Sequence, residues 1–392
     1  MSTAAASLGW KVPPPALAPR EPSAEGLAQL ERVMGAFGWA ARLGTSAFMA
    51  EVEVEGREHL AQGPLLVLMN HRCAFDPWLL TVHARRPIQF LITEPVMSLG
   101  TASRLVAWWG QIPKRKLDPD ARALRTLKGW TQLGGAVGLF PEGQFPWDGR
   151  PLPLQPGLPQ LVSYLGVPVV TARLFNSDRV WPPWAKHPRH TRLRLEIDPP
   201  RRLAFGEVEA YVAERIRVDP DGDGPRWPAE GRRLAEGLAR FLRLCPECGE
   251  DRALTDGGEE LRCAACHRVW FVTADNVLHA AGGSSPLAEV LSQVKTHFRA
   301  RWRASRRFES LGPADVVDVS RRELAHLARG QLVLDGGTLH VGAWSLQVKD
   351  VLAHTLDWDA RILLRTAQAR LALRLPHDSR ALWTLALEEA RG

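Results

Sequence analysis

The sequence predicts an α/β fold, a mixed sheet flanked by helices, followed by a small module with paired cysteines and a small β-rich module with a terminal helix. Short apolar segments, such as residues 64–70, 88–92 and 138–141, alternate with helical periodicity, most clearly over residues 120–133. Strands that alternate with helices are typical of a layered sheet. Hydrophobic residues make up 45% of the 392 residues and charged residues 24%, which is enough apolar material for a sizeable core.

The elements of the α/β domain can be placed in order along the chain. Residues 1–25 are rich in alanine and proline and are predicted to form a disordered lead. A helical pattern follows from Leu27 to about Met49, and its apolar side either lies in a membrane interface or packs on the next domain. Residues 64–70 suit a buried strand, and a helix is predicted from Pro77. Further strands are predicted at residues 88–92, 138–141, 167–170 and 191–197, the last as an edge strand.

Changes of composition divide the rest of the chain. A helix ending near Leu244 is expected to close the α/β domain. Ser285 and Pro286 have the character of an N-cap and a first-turn residue, so a basic amphipathic helix is predicted to start there. This helix either rests on anionic lipid or bridges two domains. The predicted boundaries are 1–25 for the lead, 26–244 for the α/β domain, 245–275 for the cysteine module, 284–308 for the basic helix and 312–392 for the β-rich module.

Charge and hydropathy restrict the classes of partner. The chain has 50 Lys and Arg against 43 Asp and Glu, a net charge of +7, which suits anionic lipid or an ordinary solvated surface. The 15 Trp residues suit the headgroup level of a bilayer or core packing. Without a Lys/Arg-dense strand interleaved with aromatics, no nucleic acid partner is expected. Neither a signal peptide nor an apolar run of about 18 residues occurs, so we expect a cytoplasmic protein, peripheral on the inner face of the membrane.

A histidine and an aspartate lie at a predicted strand-to-helix junction. His71 follows the strand of residues 64–70, and Asp76 lies five positions later. A hydroxyl group is too weakly acidic to attack a thioester unaided, and a neutral imidazole can take its proton near neutral pH. A carboxylate on the other ring nitrogen would fix the tautomer and stabilise the imidazolium. The pair is a candidate for a base and its orienting partner, although this spacing alone also occurs in chance surface pairs.

Two further segments carry groups that suit an anionic ligand. In the segment from Gly110 to Arg115, the planar guanidinium can hold a phosphate through two bonds, unless the segment is simply a basic surface loop. The segment from Phe140 to Gly143 ends a predicted buried strand, which is where open α/β sheets bind ligands. Glycine there lets a backbone N–H approach a ligand closely. Taken alone, this second segment is equally typical of a strand-ending turn.

Together and in this order, these segments resemble the glycerolipid acyltransferase family of the 1-acylglycerol-3-phosphate, or PlsC-like, type. The family's blocks His-x4-Asp, Gly-x-Ile-x-x-Arg and Phe-Pro-Glu-Gly are matched by His71 and Asp76, by Gly110, Ile112 and Arg115, and by Phe140, Pro141, Glu142 and Gly143. The apolar fourth block of the family, which contains a proline, fits residues 167–170. Residues 40–210 carry the resemblance.

The resemblance implies an O-acyltransferase that moves a fatty acyl group to a lipid hydroxyl in a single step, without an acyl-enzyme. His71 would be the base and Asp76 its partner, and Glu142 is expected to be the third catalytic residue. Glu142 and Gly143 would form the wall that binds the acceptor. The expected substrate-binding residues are Arg115, as a phosphate contact, with Gly110, Ile112, Phe140, Pro141 and Gly143. The donor would be acyl-CoA or acyl-carrier protein, the acceptor a lysophospholipid-like molecule at the membrane surface, and no metal would enter the chemistry. A non-catalytic lipid-binding or scaffolding protein on the same fold is the alternative.

One departure from the family concerns the acceptor. Many members continue Phe-Pro-Glu-Gly with Thr-Arg-Ser, whereas this chain continues with Gln144-Phe145-Pro146. The second phosphate-binding arginine is therefore missing from this position. Lysophosphatidic acid is in doubt as the acceptor, and an acceptor with a less anionic head is the alternative.

Four of the five cysteines form two close pairs. Cys245 and Cys248 are separated by fourteen residues from Cys263 and Cys266. Two turns of this kind can complete a tetrahedral site of four thiolates around structural zinc, and disulfides are the alternative. The spacing resembles a zinc ribbon. Four sulfur ligands leave no open position, so catalysis at this zinc is not expected.

The C-terminal residues follow a third pattern. A helix is predicted from about Asp378 to Ala390. Short strands are predicted at residues 331–334, 337–341, 362–365 and 371–375. Strands followed by one amphipathic helix are similar to a pleckstrin-homology-like or GRAM-like module, by pattern and without a motif. Lipid headgroups and protein partners are both open as ligands.

Overall fold

Three β-sheets with flanking helices make up the part of the protein that the computed structural model describes. The described residues are 21–93, 109–117, 120–144, 146–147, 149–220, 222, 224, 227–320, 324–357 and 361–391. Helices in these residues are α1 Ala24–Phe48, α2 Asp76–Ala84, α3 Ala121–Gln132, α4 Leu158–Leu165, α5 Ser177–Val180, α6 Val208–Ile216, α7 Leu238–Leu242, α8 Leu287–Ser305 and α9 Arg380–Arg391. The strands of the first sheet are β1 Ala50–Glu55, β2 Leu65–Met69, β3 Ile88–Thr93, β4 Ile112–Lys114, β5 Ala136–Leu139, β6 Val169–Phe175 and β7 Thr191–Ile197.

The first sheet has the order β1-β7-β6-β2-β5-β3-β4 in the described part of the chain. The strands from β6 to β4 are all parallel, whereas β7 runs antiparallel to β6. Both central strands, β2 and β5, are buried along their whole length, because helices cover both faces of the sheet. The carboxyl ends of β2, β5, β3 and β4 consequently meet at one edge of the sheet, which we call the C-terminal edge.

The edge position predicted for residues 191–197 is wrong. Strand β7 lies between β6 and β1, and β1 forms the edge. The alternating exposure of β7 reflects one solvated face rather than a free side of the sheet. Two of its arginines form ion pairs with β1, between Arg192 and Glu51 at 2.9 Å and between Arg194 and Glu55 at 3.0 Å.

Helix α1 begins inside the segment predicted to be a lead. Residues 1–20 lie outside the described residues, but Ala24 and Glu25 are helical. The Ser23 side chain caps the helix by accepting a hydrogen bond from the backbone of Gly26 at 3.0 Å. In the residues that the structure describes, no helix has the length and apolar character needed to cross a membrane.

The second sheet is antiparallel, and its strands lie between the two cysteine pairs and after the second pair. Its strands, in the order β12-β11-β10-β9-β8, are β8 Leu254–Gly257, β9 Glu260–Cys263, β10 Val269–Val272, β11 Val277–Ala280 and β12 Gly283–Pro286. Ser285 therefore pairs in β12 with Leu278 and is not the N-cap of the next helix. Helix α8 instead begins at Leu287, with Pro286 at its cap position, so it is shorter than the 284–308 predicted.

The third sheet is also antiparallel and has the order β16-β15-β14-β13-β19-β18-β17 among the described residues. Its strands are β13 Arg307–Asp318, β14 Ala325–Asp335, β15 Thr338–Val341, β16 Trp344–Gln347, β17 Ala353–Asp357, β18 Arg361–Arg365 and β19 Arg370–Arg374. Phe308 lies in β13, not at the end of the preceding helix. One continuous apolar core joins the second sheet, α8, the third sheet and α9.

Helix α8 bridges modules through its apolar side. The apolar residues of this side are buried, with exposed fractions of 5% or less, and pack in the core shared by the second and third sheets: Leu287, Val290, Leu291, Val294, Phe298 and Trp302. Of the two alternatives for this helix, the structure shows the bridging one. A contact between this apolar side and lipid is excluded, because protein already covers it.

Candidate active site

His71 and Glu142 emerge side by side at the C-terminal edge. Strands β2 and β5 are parallel neighbours, with Leu68 opposite Leu139. His71 and Glu142 each lie three residues beyond these partners, so the register of the sheet brings their backbones together. The backbone N–H of His71 donates to Oε2 of Glu142 at 3.1 Å.

The His71 side chain is paired with Asp76. Nδ1 of His71 lies 2.9 Å from Oδ2 of Asp76, whose side chain is completely buried, while the imidazole keeps 15% exposure. Because a carboxylate can only accept, the geometry assigns the proton to Nδ1 and the basic lone pair to Nε2. The contact between His71 and Asp76 that the sequence predicts is therefore present in the structure.

Asp76 is fixed by hydrogen bonds from the loop that connects β2 to α2. Its Oδ2 also accepts hydrogen bonds from the backbone N–H groups of Arg72 at 2.6 Å and Cys73 at 2.8 Å. As the first residue of α2, Asp76 reaches back over the chain reversal and fixes the loop between β2 and the helix. Burial raises the pKa of the Cys73 thiol, so this cysteine is a protonated packing residue rather than a nucleophile.

Glu142 holds the loops of the site rather than opening into it. Its Oε1 accepts from the backbone of Leu152 at 2.8 Å, while Oε2 accepts from His71, and its backbone carbonyl accepts from Gln155 at 3.2 Å. The side chain is 4% exposed. Burial raises the pKa of the Glu142 carboxyl, and the hydrogen bonds from Leu152 and His71 oppose that rise.

Phe140 packs directly on the imidazole. The ring centroids of Phe140 and His71 are 3.9 Å apart with an interplanar angle of 15°, and Phe90 stacks on Phe140 with 5.3 Å between their ring centroids. A Cβ at Gly138 would lie 2.7 Å from Cδ1 of Phe90, so glycine makes room for this ring. The neighbouring Pro141 is buried. Sequence reasoning missed Phe90, because an aromatic residue in a strand carries no catalytic signal.

Gly143 turns the chain out of the site. Its backbone has a φ of +72°, and an added Cβ would lie 2.7 Å from Cγ of Gln155. Both observations explain why glycine occupies this position. The following residue, Gln144, is partly buried, while Phe145 lies outside the described residues.

The segment around Arg115 lies further along the same edge. Ile112 is buried in β4, and Gly110 precedes it with a φ of +79°. Arg115 follows the strand directly and is exposed. Because β5 and β3 separate β4 from β2, Arg115 lies three strand positions from His71, or roughly 14 Å at the usual strand spacing. The structure places the two on one edge, and the guanidinium must reach along that edge to approach the imidazole.

Asn70 is a site-supporting residue that sequence reasoning missed. Its buried amide makes two hydrogen bonds with the backbone of Leu174, at 3.0 Å from Nδ2 and 2.8 Å to Oδ1. This clamp joins the end of β2 to β6, immediately before His71. No local sequence signal predicts this contact, because it joins residues 104 positions apart in the chain.

The four paired cysteines converge away from the first sheet. All four sulfur atoms lie within 4.8 Å of one another, with 3.7 Å between Cys245 and Cys266 and 3.9 Å between Cys248 and Cys263. A zinc ion with four thiolates at about 2.3 Å requires sulfur–sulfur separations of about 3.8 Å. The donor set and its spacing therefore fit structural zinc.

The part of the chain that carries the site is similar to known proteins. Residues 51–174 match the acyltransferase family. A curated relative, the chloroplastic 1-acyl-sn-glycerol-3-phosphate acyltransferase BAT2 of Brassica napus, is 24% identical over 136 residues, covering 34% of this chain and 39% of the relative. The chain thus spans about two fifths of that protein. The crystal structure of PlsC, the 1-acyl-sn-glycerophosphate (LPA) acyltransferase from Thermotoga maritima, is similar with 20% identity and a TM-score of 0.42, over 48% of this chain and 78% of that one.

Proposed function

We propose that the chain is an O-acyltransferase that acts on a lysophospholipid-like acceptor, in keeping with the match of residues 51–174 to the acyltransferase family. The observation that carries this proposal is the contact of 2.9 Å between His71 and Asp76 at the C-terminal edge of the sheet, inside the matched region. The donor is acyl-CoA or acyl-carrier protein, because a thioester carries the acyl group in an activated form.

The transfer follows from the orientation of the imidazole. Nε2 of His71 takes the proton of the acceptor hydroxyl while its oxygen attacks the thioester carbonyl. Asp76 stabilises the imidazolium through Nδ1. The C–O bond forms, the C–S bond breaks, and the proton passes from the imidazolium to the departing thiolate. The product is an ester and a free thiol, and no acyl-enzyme is formed.

Other residues of the site are proposed to position the imidazole of His71 or to bind the acceptor. Glu142 holds the backbone of His71, and Phe140 fixes the plane of the imidazole. Gly143 shapes the wall beside the acceptor, and Arg115 supplies a cation for an anionic headgroup. The acceptor hydroxyl thereby meets a base whose orientation is set before it binds.

Binding at a membrane surface is supported by helix α1. Its described side chains include four large apolar residues with exposed fractions between 61% and 82%: Phe37, Trp39, Leu43 and Phe48. Exposed apolar side chains on one helix suit insertion into the headgroup region of a bilayer. These side chains support the proposal that the protein is peripheral on a membrane, and we propose its inner, cytoplasmic face as the location.

The four cysteines are proposed to hold structural zinc. Cys245, Cys248, Cys263 and Cys266 would bind the ion as thiolates, and the ion would stabilise the turns that carry them. No step of acyl transfer involves this metal. The third sheet, with α9, is proposed as a pleckstrin-homology-like or GRAM-like module.

The test is acyl transfer by the purified chain of 392 residues. Acyl-CoA and acyl-carrier protein are offered as donors, with lysophosphatidate, other lysophospholipids and monoacylglycerol as acceptors, and products are identified by mass spectrometry. We expect an esterified product whose formation His71→Ala slows by about 10²- to 10⁴-fold, while the Tm and liposome binding of this variant remain those of the wild type. His187→Ala, at an exposed histidine, is the matched control. Liposome binding without a product from any donor and acceptor pair would favour the scaffolding alternative.

A further inference from the structure

Three arginines converge on the last turn of helix α2, at the end far from the candidate active site. Nε of Arg57 donates to the backbone carbonyl of His83 at 2.8 Å, and Nη1 of Arg42, in α1, donates to that of Val82 at 3.5 Å. Arg85 follows α2 directly as its C-cap residue, with a φ of +56°. The three arginines therefore meet at one end of the helix, and we call them the arginine cluster.

Helix capping accounts for only part of this positive charge. Cations are favourable beside the carbonyl groups at a helix C-terminus. Arg57 and Arg42 each use one nitrogen for such a carbonyl, and their remaining nitrogens form no hydrogen bond with a described residue. In the described part of the chain, none of the three arginines forms an ion pair with a carboxylate. The arginine cluster therefore has an excess of positive charge.

The charges of the cluster disfavour one another. Burial and the neighbouring Arg85 lower the pKa of Arg42, and burial, Arg85 and Arg42 lower the pKa of Arg57. The carboxylate of Glu58 opposes the shift of Arg57, as the smallest of its causes. Because like charges held close together repel, an anion bound among the three guanidinium groups would relieve that repulsion. The cluster therefore favours an anionic ligand.

The exposed apolar part of α1 lies beside the cluster. Helices α1 and α2 run antiparallel, because the indole of Trp78, near the start of α2, donates to Thr45 at 3.1 Å, whereas Arg42 reaches the last turn. Trp39 lies three residues before Arg42 and is therefore its neighbour on the surface of α1. Trp39 is 61% exposed, and Leu43, which follows Arg42, is 64% exposed. Apolar and cationic side chains are thus adjacent on one surface.

We propose that Arg42, Arg57 and Arg85 bind the phosphate group of an anionic phospholipid in the membrane that Trp39 and Leu43 enter. This inference rests on the proposed attachment of α1 to a membrane. Indole rings favour the headgroup level of a bilayer, where the lipid phosphates also lie. Guanidinium groups match phosphate oxygens in pairs, and arginines near an anionic leaflet strengthen the attachment of a protein to it.

This lipid is distinct from the acceptor. Helix α2 carries Asp76 at its start and Arg85 after its end, and its nine residues span about 14 Å. A lysophospholipid whose hydroxyl meets His71, the partner of Asp76, has its phosphate only a few bonds away from that hydroxyl. The same molecule does not reach the arginine cluster. The cluster would therefore select the membrane on which the enzyme lies and take no part in acyl transfer.

The test compares binding of the chain to vesicles of phosphatidylcholine alone and of equal parts phosphatidylcholine and phosphatidylglycerol, by co-sedimentation. The wild type should partition more strongly onto the anionic vesicles. Arg42→Gln/Arg85→Asn should lower that partition coefficient about 10- to 30-fold and leave binding to phosphatidylcholine unchanged. Asparagine suits the positive φ of residue 85. Arg202→Gln/Arg232→Gln, at exposed arginines elsewhere, is the control of equal charge change and should keep most of the binding.

Two further variants separate charge from apolar insertion. Trp39→Ala/Leu43→Ala should weaken binding to both kinds of vesicle by a similar factor, whereas Arg42→Lys/Arg85→Lys should recover part of the binding to anionic vesicles. Circular dichroism checks the fold of each variant. Should Arg42→Gln/Arg85→Asn unfold, Arg85→Asn alone tests the cluster, because the Arg85 side chain forms no hydrogen bond with a described residue.

Three results would overturn the lipid site. The first is equal binding of the wild type to both kinds of vesicle, and the second is an equal loss in the cluster variant and its control. The third is a Tm raised by inorganic phosphate through these arginines without a preference for anionic vesicles, which would assign the cluster to a free phosphate. None of these measurements uses turnover. A chain that binds anionic vesicles through the cluster but transfers no acyl group would therefore contradict only the proposed function.

Discussion

At the scale of single residues, the candidate site is a histidine constrained on three sides. Asp76 fixes the ring nitrogen, Glu142 fixes the backbone, and Phe140 stacks on the ring plane. Each contact removes a freedom that the imidazole would otherwise lose only when substrate binds. The site is therefore organised before the acceptor arrives.

The orienting carboxylate gives the first prediction. Asp76→Asn should lower kcat by about 10²- to 10⁴-fold, because an amide can present an N–H to Nδ1 and favour the wrong tautomer. Asparagine keeps the size of the side chain, and one oxygen remains for the backbone N–H groups of Arg72 and Cys73. Steady-state kinetics with a parallel Tm measurement check it. Wild-type kcat in a normally folded Asp76→Asn protein would contradict the role.

The sequence predicts candidate residues where a functional group matches a reaction, and it does not predict the residues that only support them. His71, Asp76 and Arg115 are predicted because their functional groups match a reaction and a family pattern. Asn70 and Phe90 were missed, since their contacts with Leu174 and Phe140 depend on which strands become neighbours. Local patterns do not contain that pairing.

At the scale of elements, helix α2 buries a polar residue at each of its two ends. Asp76 begins it, and His83 lies in its last turn. Burial and the nearby cations Arg57, Arg42 and Arg85 lower the pKa of His83 to about 4. His83 is therefore uncharged in the folded protein at neutral pH.

The second prediction concerns stability against pH. His83 in the unfolded chain binds a proton below its ordinary pKa of 6.5, whereas the folded chain resists protonation down to about 4. Its contribution to stability is therefore complete above pH 6.5 and is lost as pH falls from 6.5 towards 4. His83→Gln should flatten the unfolding free energy over this interval in urea titrations. An identical pH dependence in both proteins would contradict the account.

Hydrophobic periodicity does not predict which strands become neighbours, and two wrong predictions follow from this. The strand at residues 191–197 was recognised but placed at the edge, because β1, with the sequence Ala-Glu-Val-Glu-Val-Glu, was not recognised as a strand. The glutamates of β1 make it look like a solvent-exposed segment, but they form ion pairs with arginines of the neighbouring strand β7. Ser285 and Pro286 have the sequence character of a helix start, but in the structure they belong to strand β12, which pairs with β11. In both cases tertiary pairing overrides local preference.

At the scale of the whole molecule, Arg243 joins three modules. Its buried guanidinium contacts Asp251 at 2.9 Å and Asp378 at 3.0 Å, and it donates to the backbone of Glu309 at 2.7 Å. Asp378 in turn accepts from the indole of Trp383 at 2.9 Å. Arg243, at the end of the α/β domain, thus links that domain to the cysteine module and to the β-rich module through one fully paired charge.

The third prediction follows from this shared core. Removing metal from the protein with a chelator should lower its Tm by about 10 °C or more, because the cysteine turns border the core that also holds the third sheet. Elemental analysis should find one zinc per chain in the wild type and in Cys73→Ala, and none in Cys263→Ser. Protein that contains no metal, with four titratable thiols and a Tm indifferent to chelator, would contradict the zinc site.

The most direct measurement of the central claim is the single-turnover rate of acyl transfer by His71→Ala, with and without added imidazole. The account predicts a rate about 10²- to 10⁴-fold below that of the wild type, with Tm and acceptor binding preserved. Imidazole should restore part of the rate in proportion to its unprotonated fraction, and should leave the wild type unaffected. A His71→Ala protein that transfers the acyl group at the wild-type rate would contradict the account.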